Sequence, residues 1–249
     1  MRPSPSGNHS NERVLMITGA AGGIGQAVVR RARKDGYRVF AVDLRDRPPD
    51  QRGDELVYWF PADVTRDEEA SKAFEALDRA CGRLDALVPC AGAVGEGRVE
   101  EVEPASFRNL VELNLTSAFV YSRLALPRLC RTSGSIVFVS STNGITGGSP
   151  LSGPAYAVAK AGLIALTKNI ARDYGSQSVR ANCIAPGPID TPMLDRLDDS
   201  VKEGLRSSIP LGDLGKPDDV ANVVAFLISP EARYLTGLTI TVSGGMVMP

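Results

Sequence analysis

Seven short apolar runs, parted by amphipathic stretches, set the strongest limit on how this chain can fold. Most are near-continuous Val, Ile and Leu, as in residues 135–140 (Ser-Ile-Val-Phe-Val-Ser). Strands of that kind are covered on both faces. The expected strands are residues 14–18, 38–43, 56–61, 84–90, 135–140, 179–185 and 238–242. The first expected helix, 24–34, carries Ile24, Val28 and Ala32 on one side and stops at Gly36. A capping box, Thr65-Arg66-Asp67-Glu68, opens a second that runs to Cys81 and ends at Gly82. Others are expected over 104–130, over 154–174 before Gly175, and from Pro217 to just before Pro230. Alternating strand and helix demands parallel strands joined by crossovers.

Seven strands do not close an eightfold barrel, and the first turn is rich in glycine. The expectation is therefore an α/β fold: a doubly wound seven-stranded parallel sheet, helices on both faces, in a single domain over residues 12–249. Residues 1–11 are polar and rich in Pro, Ser and Asn, which reads as a flexible leader without the apolar core of a signal peptide. Residues 44–55 hold Pro48, Pro49, Gly53 and a dense run of charges, so an irregular rim segment is expected where a crossover helix would normally sit.

Charge and composition exclude several functions. The chain has 28 Lys and Arg against 29 Asp and Glu, a net charge of -1, which offers no electrostatic attraction to nucleic acid or an anionic membrane. No apolar run approaches the ~18 residues of a membrane span, so a cytoplasmic location is expected. The one histidine is His9, in the leader, so a Ser-His-Asp triad or a multi-His metal site cannot form within one chain. Cys81, Cys90, Cys130 and Cys183 match no metal-ligand spacing and read as reduced, mostly buried thiols; no metal is expected.

Three features carry chemistry. Thr18-Gly19-Ala20-Ala21-Gly22-Gly23-Ile24-Gly25 lies between the first strand and the first helix, where small residues let backbone approach a pyrophosphate at a helix N-terminus. Asp43 ends the second strand, where a carboxylate can accept the ribose hydroxyls of an adenosine and repel a 2′-phosphate. Arg45 and Arg47 follow closely and are within reach of a phosphate, so the cofactor choice stays open at this point. Tyr156 and Lys160 stand four apart on one helix face. A fixed cation there favours phenolate, which makes tyrosine usable as an acid or base near neutral pH.

Together with Asp63-Val64, Cys90-Ala91-Gly92, Asn114, Ser141 and Pro186-Gly187, these residues make nearly the whole chain resemble the short-chain dehydrogenase/reductase family, whose fold is of the Rossmann type. The resemblance implies Tyr156 as general acid/base and Lys160 as the residue that holds the nicotinamide ribose and depresses the Tyr156 pKa. It implies Ser141 as hydrogen-bond partner of the substrate oxygen. Asn114 would sit at a distortion in the long helix and hold a water linked to Lys160. Gly19, Ala21, Gly23 and Ile24 would form the cofactor turn, Asp63 and Val64 would meet the adenine, and Ala91 and Gly92 would line the cofactor. Pro186, Gly187, Ile189 and Thr191 would serve its nicotinamide end. A homotetramer is implied, with the two long helices and the last strand in its interfaces.

The implied activity is reversible hydride transfer between NAD, with NADP less favoured, and a secondary alcohol or ketone. The alternatives are an NADPH-dependent 3-oxoacyl thioester reductase and a cyclic dihydrodiol dehydrogenase. In a different class stands a dinucleotide-binding regulator without turnover. The substrate pocket is expected from residues 93–99, 142–155 and 188–210, where Arg98 reads as a solvated loop residue rather than an anion contact. The chain departs from the usual family pattern at Pro89-Cys90, in residues 44–55, in the longer stretch between Ser141 and Tyr156, and at Ser243. None of these removes a proposed catalytic group.

Overall fold

The computed structural model describes residues 12–49 and 53–248. The leader, His9 and the middle of the rim segment lie outside the described residues. Seven strands, β1 (Val14–Thr18), β2 (Arg38–Asp43), β3 (Val57–Pro61), β4 (Ala86–Pro89), β5 (Ser135–Val139), β6 (Arg180–Pro186) and β7 (Thr239–Val242), form one sheet in the order β3-β2-β1-β4-β5-β6-β7. Every pairing is parallel, and the expected doubly wound fold is what the chain adopts.

Eight α-helices are described: α1 (Gly23–Lys34), α2 (Asp67–Ala80), α3 (Pro104–Val111), α4 (Ser117–Thr132), α5 (Asn143–Thr146), α6 (Gly153–Tyr174), α7 (Asp199–Ser207) and α8 (Pro217–Ile228). Alternate residues of each strand point to opposite sheet faces. Val14 and Met16 of β1 therefore join Phe74, Tyr121 and Leu163 of α2, α4 and α6 in one core. Leu15 and Ile17 join Val28 of α1 and Val224 of α8 in the other. With both faces sealed, the strands need no polar alternation, which is why they read as unbroken apolar runs.

The chain builds outward from β1 to β3, then returns to place β4 on the other side of β1. The loops leaving β1 and β4 thus diverge, and a crevice opens between them at the C-terminal edge of the sheet. Pro89 sits at that edge: its missing N–H costs nothing there, because β4 has left β5 after Leu87.

The rim segment between β2 and β3 holds no α-helix among its described residues. It is tied down by side chains instead: Trp59 donates its indole N–H to the Arg45 carbonyl at 3.1 Å, and Arg47 donates to the Asp54 carbonyl at 2.8 Å.

Two expectations are corrected. The capping box at Thr65 does not form, because α2 starts at Asp67 and its N-cap, Arg66, makes no side-chain cap. The Asp63 carboxylate accepts the Thr65 N–H and hydroxyl, at 3.0 and 2.7 Å, and Glu69 accepts the Asp63 N–H at 2.6 Å. The helix expected over 104–130 is broken by a π-helical turn, Glu112–Thr116, between α3 and α4. Apolar spacing does not register one extra residue in a turn, but the family resemblance had placed a distortion at Asn114, the middle of that turn.

Candidate active site

The glycine turn is shaped by close approach. Gly19 has φ +68°, and a Cβ there would lie 2.6 Å from the Ala91 backbone nitrogen. Only glycine lets the turn after β1 meet the turn after β4 in this way. A side chain on Gly23 would strike Thr191, whose methyl carbon is 2.6 Å from that Cβ position. Thr191, reached through Pro186, Gly187 and Ile189 after β6, is thereby brought to the N-terminus of α1. Ile24 follows in the first turn of that helix, with Ala21 just before it.

Thr18 opens the glycine motif, but the sequence assigned it no role of its own. Its hydroxyl accepts the Cys90 and Ala91 N–H groups at 3.2 and 3.3 Å. This clamp joins β1 to β4 at Pro89-Cys90, one of the places where the chain departs from the usual family pattern. The only advance signal was a hydroxyl residue ending a strand just before the glycines.

Asp43 is 6% exposed and already occupied. One carboxylate oxygen accepts the Ala21 N–H at 2.9 Å, and the other accepts the Arg45 N–H at 2.9 Å. The Arg45 guanidinium folds back onto the same carboxylate, with Nε 3.2 Å from Oδ1.

The reacting groups converge beyond the end of β5. Lys160 is buried on α6, donates to the Val139 carbonyl at 2.9 Å, and holds its ammonium 5.4 Å from the centre of the Tyr156 ring. Ser141 comes within hydrogen-bonding reach of the Tyr156 phenol, and its Oγ accepts the Asn143 N–H at 3.1 Å. Asn114 is 1% exposed in the π-helical turn and donates to the carbonyls of Ala93 and Leu110, both at 2.9 Å. Its Oδ1 has no hydrogen-bond partner and faces Gly92: a Cβ on Gly92 would lie 2.5 Å from that oxygen and 3.4 Å from Lys160 Nζ. An unpartnered buried carbonyl beside an ammonium is a costly arrangement that points to a further polar group between them.

The electrostatics correct one expectation. The Tyr156 phenol lies above its ordinary value near 10, because burial outweighs the hydrogen bond from Ser141, and the Cys90 thiol pushes the same way as burial. Lys160 is not what sets the phenol here; burial instead brings its own ammonium down to about 8. Cys90 is pushed up to about 11 by burial, so its thiol stays protonated at neutral pH. Only Cys183 of the four cysteines is fully buried; Cys81, Cys90 and Cys130 are half-buried, and all four are free.

Asp63 and Val64 join this assembly least. The Asp63 carboxylate is held low by the two Thr65 hydrogen bonds, and the Val64 side chain is packed into the core. What Val64 can offer a ligand is its backbone.

The remaining cradle fits a dinucleotide. The turn leading into α1 carries no side chain at Gly19, Gly22 or Gly23, the N-terminus of α1 follows it, and Asn114 leaves Oδ1 unpartnered on the Gly92 side, where Lys160 Nζ also lies. The family model described as Enoyl-(Acyl carrier protein) reductase matches residues 19–247. The 3-oxoacyl-(acyl-carrier-protein) reductase FabG of Thermotoga maritima is 34% identical over 243 residues, covering 95% of this chain and 98% of the relative. A solved short-chain dehydrogenase/reductase from Brucella melitensis, titled glucose/ribitol dehydrogenase, superimposes with a TM-score of 0.89 at 31% identity, covering 95% of this chain and 97% of its own. A short-chain oxidoreductase from Burkholderia thailandensis is 39% identical with a TM-score of 0.86, covering 95% and 93%. The chain belongs to the short-chain dehydrogenase/reductase family, oxidoreductases that use nicotinamide cofactors. No helix among its described residues is long and apolar enough to cross a membrane.

Proposed function

We propose that this chain reduces the 3-oxo group of an acyl thioester, and in reverse oxidises the 3-hydroxyacyl thioester, which is itself a secondary alcohol. The names of the relatives support this substrate over the simple alcohol or ketone that the sequence put first. The observation that carries the reaction is the convergence of Tyr156, Ser141 and Lys160, with the Lys160 ammonium 5.4 Å from the centre of the Tyr156 ring.

A nicotinamide dinucleotide held here would supply the hydride for reduction and accept it in oxidation. Tyr156 gives its Oη proton to the substrate oxygen as the carbonyl carbon is reduced, and takes it back in oxidation. Ser141 holds that oxygen beside the phenol. Lys160 binds the nicotinamide ribose, and Asn114 holds a water that returns a proton towards Lys160. Gly19, Ala21, Gly23 and Ile24 cradle the pyrophosphate; Ala91, Gly92, Pro186, Gly187, Ile189 and Thr191 line the nicotinamide end; Asp63 and Val64 border the adenine. Asp43 takes the adenosine ribose hydroxyls, which favours NAD over NADP through like-charge repulsion of a 2′-phosphate.

Residues 12–249 act as one catalytic domain in this reading. A homotetramer is part of it: Phe119 on α4 is half exposed beside Leu166 and Ile170 of α6, an apolar face suited to another copy. A cytoplasmic setting accords with four free thiols.

Steady-state turnover of purified protein tests the proposal, with 3-oxoacyl thioesters, cyclic and linear alcohols and aldohexoses, each with both cofactors. The highest kcat/KM is expected on the thioester. Turnover of a sugar or simple alcohol but not the thioester would overturn the substrate, and no turnover on any would overturn the reaction.

A further inference from the structure

We infer that Arg196 is a specificity-determining residue of this chain: its bond to the Leu151 carbonyl closes a ring of segments around the mouth of the crevice, and a substrate with a long tail has to part that bond, whereas a compact one does not. The inference rests on the thioester reading above and deepens it, because the tail of a thioester is what must leave through the ring.

The ring can be followed contact by contact. The turn after β1 meets the turn after β4 where Gly19 approaches the Ala91 backbone. Beyond Ala91, the Gly95 and Gly97 N–H groups donate to the Ser152 and Pro150 carbonyls at 3.2 and 2.8 Å. Gly153, with φ +69°, lets this stretch lie against Glu96: a Cβ there would stand 2.9 Å from the Glu96 carbonyl oxygen. The carbonyl between Pro150 and Ser152, that of Leu151, accepts from Arg196 Nη2. Arg196 lies in the segment after β6, which returns to the turn after β1 where Thr191 packs on Gly23. All these segments leave the C-terminal edge of the sheet, so the ring is the rim of the crevice.

Every link but one is made by backbone or by packed carbon. Arg196 is exposed and pairs with no carboxylate among the described residues. Its bond is also the only hydrogen bond that the described residues 192–208 send across the crevice. No residue of α7 is buried, and the segment is otherwise held at its base, by the bridge of Ile189 to Gly215 and by the Leu211 N–H on the Gly244 carbonyl at 3.1 Å. Opening the ring at Arg196 exchanges one exposed bond for water, while opening it elsewhere strips paired backbone. In a 3-oxoacyl thioester the carbon that takes the hydride carries the sulfur-bearing tail on one of its two arms. With the reacting oxygen at Tyr156 and Ser141, that tail leaves through the rim, and the Arg196 link is the one that yields. A compact ester sits inside the closed ring.

The test compares kcat/KM for the S-methyl and S-pantetheinyl thioesters of 3-oxobutanoate, with NADH and with NADPH, in wild type, Arg196→Ala and Arg196→Lys. Amide hydrogen exchange of residues 191–208 is measured in the same proteins without substrate. Pantetheine carries no charge, so loss of the cation does not itself change its attraction. Arg196→Ala should raise the pantetheinyl-to-methyl ratio by about three- to tenfold, through the KM of the pantetheinyl ester, as one lost exposed hydrogen bond predicts. It should also speed exchange in residues 191–208. Arg196→Lys, which keeps a donor, should bring both back towards wild type. A ratio unchanged or lowered in Arg196→Ala overturns the specificity role, and unchanged exchange overturns the closing link. Turnover of neither ester by wild type overturns the thioester reading and with it the tail, while faster exchange in Arg196→Ala would still mark Arg196 as the closing link.

Discussion

Ser140 donates its hydroxyl to the carbonyl of Lys160 at 2.7 Å, fastening the end of β5 to the middle of α6. Its neighbour Ser141 points the other way, towards Tyr156. Consecutive residues at a strand end face opposite sides, so one serine holds the scaffold and the next meets the crevice.

Ser141→Ala should lower turnover on the order of 100-fold, as for a lost donor at a reacting oxygen. Ser140→Ala should instead cost about 1 kcal/mol of stability, by removing a buried hydrogen bond between β5 and α6. Kinetics and denaturant unfolding of the two proteins check this, and the reverse ranking would mean the register is misassigned. Asn143 reaches Ser141 only through its backbone N–H, so Asn143→Ala should leave turnover close to wild type.

The direction of the Tyr156 shift sets the pH dependence. A phenol held above its ordinary value is protonated throughout the neutral range, which suits it to act as an acid. Reduction should therefore be steady near neutrality and fall as pH rises, first as Lys160 loses its charge near pH 8 and then as the phenol ionises. Oxidation, which needs the phenolate, should gain in the rising range that reduction loses. Tyr156→Phe should abolish both while keeping cofactor binding. A reduction rate that climbs between pH 7 and pH 9 would contradict the assignment.

Lys160 carries a cost. Its folded pKa of about 8 lies below the ordinary 10.5, so the unfolded chain binds the proton more tightly. The destabilisation is full below about pH 8 and fades as pH rises towards 10.5. Lys160→Met should lose turnover yet raise Tm by on the order of 5 °C at neutral pH, because a buried cation is replaced by an apolar chain of similar length. Calorimetry at pH 7 and pH 10 checks it, with the gain expected to shrink at the higher pH; a Tm lowered at both would show that the ammonium stabilises the fold.

Gly19→Ala should damage cofactor binding and stability together. The positive φ alone costs a non-glycine residue about 1–3 kcal/mol, and the added methyl would press on the Ala91 backbone. Thermal unfolding and NADH titration of the variant should both shift, and a variant indistinguishable from wild type in both would mean the β1 and β4 turns are not packed as described.

The sequence by itself determined the seven strands, the parallel sheet and the glycine turn, because each follows from local pattern: apolar runs of strand length, helical spacing between them, small residues at one junction. It also determined that Tyr156 and Lys160 share a helix face, since four residues make about one helical turn. Tertiary structure alone decided what those groups meet. The strand order, which opens the crevice between β1 and β4, depends on where the chain turns back. The unpartnered Asn114 oxygen beside Lys160 depends on how a π-helical turn rotates one side chain towards Gly92. Spacing on the helix suggested that the ammonium would lower the Tyr156 phenol, but desolvation is summed over every neighbour packed around the ring, and it pushes the phenol up. Asp43 read as a free carboxylate for the same reason: only the folded rim shows Arg45 lying across it.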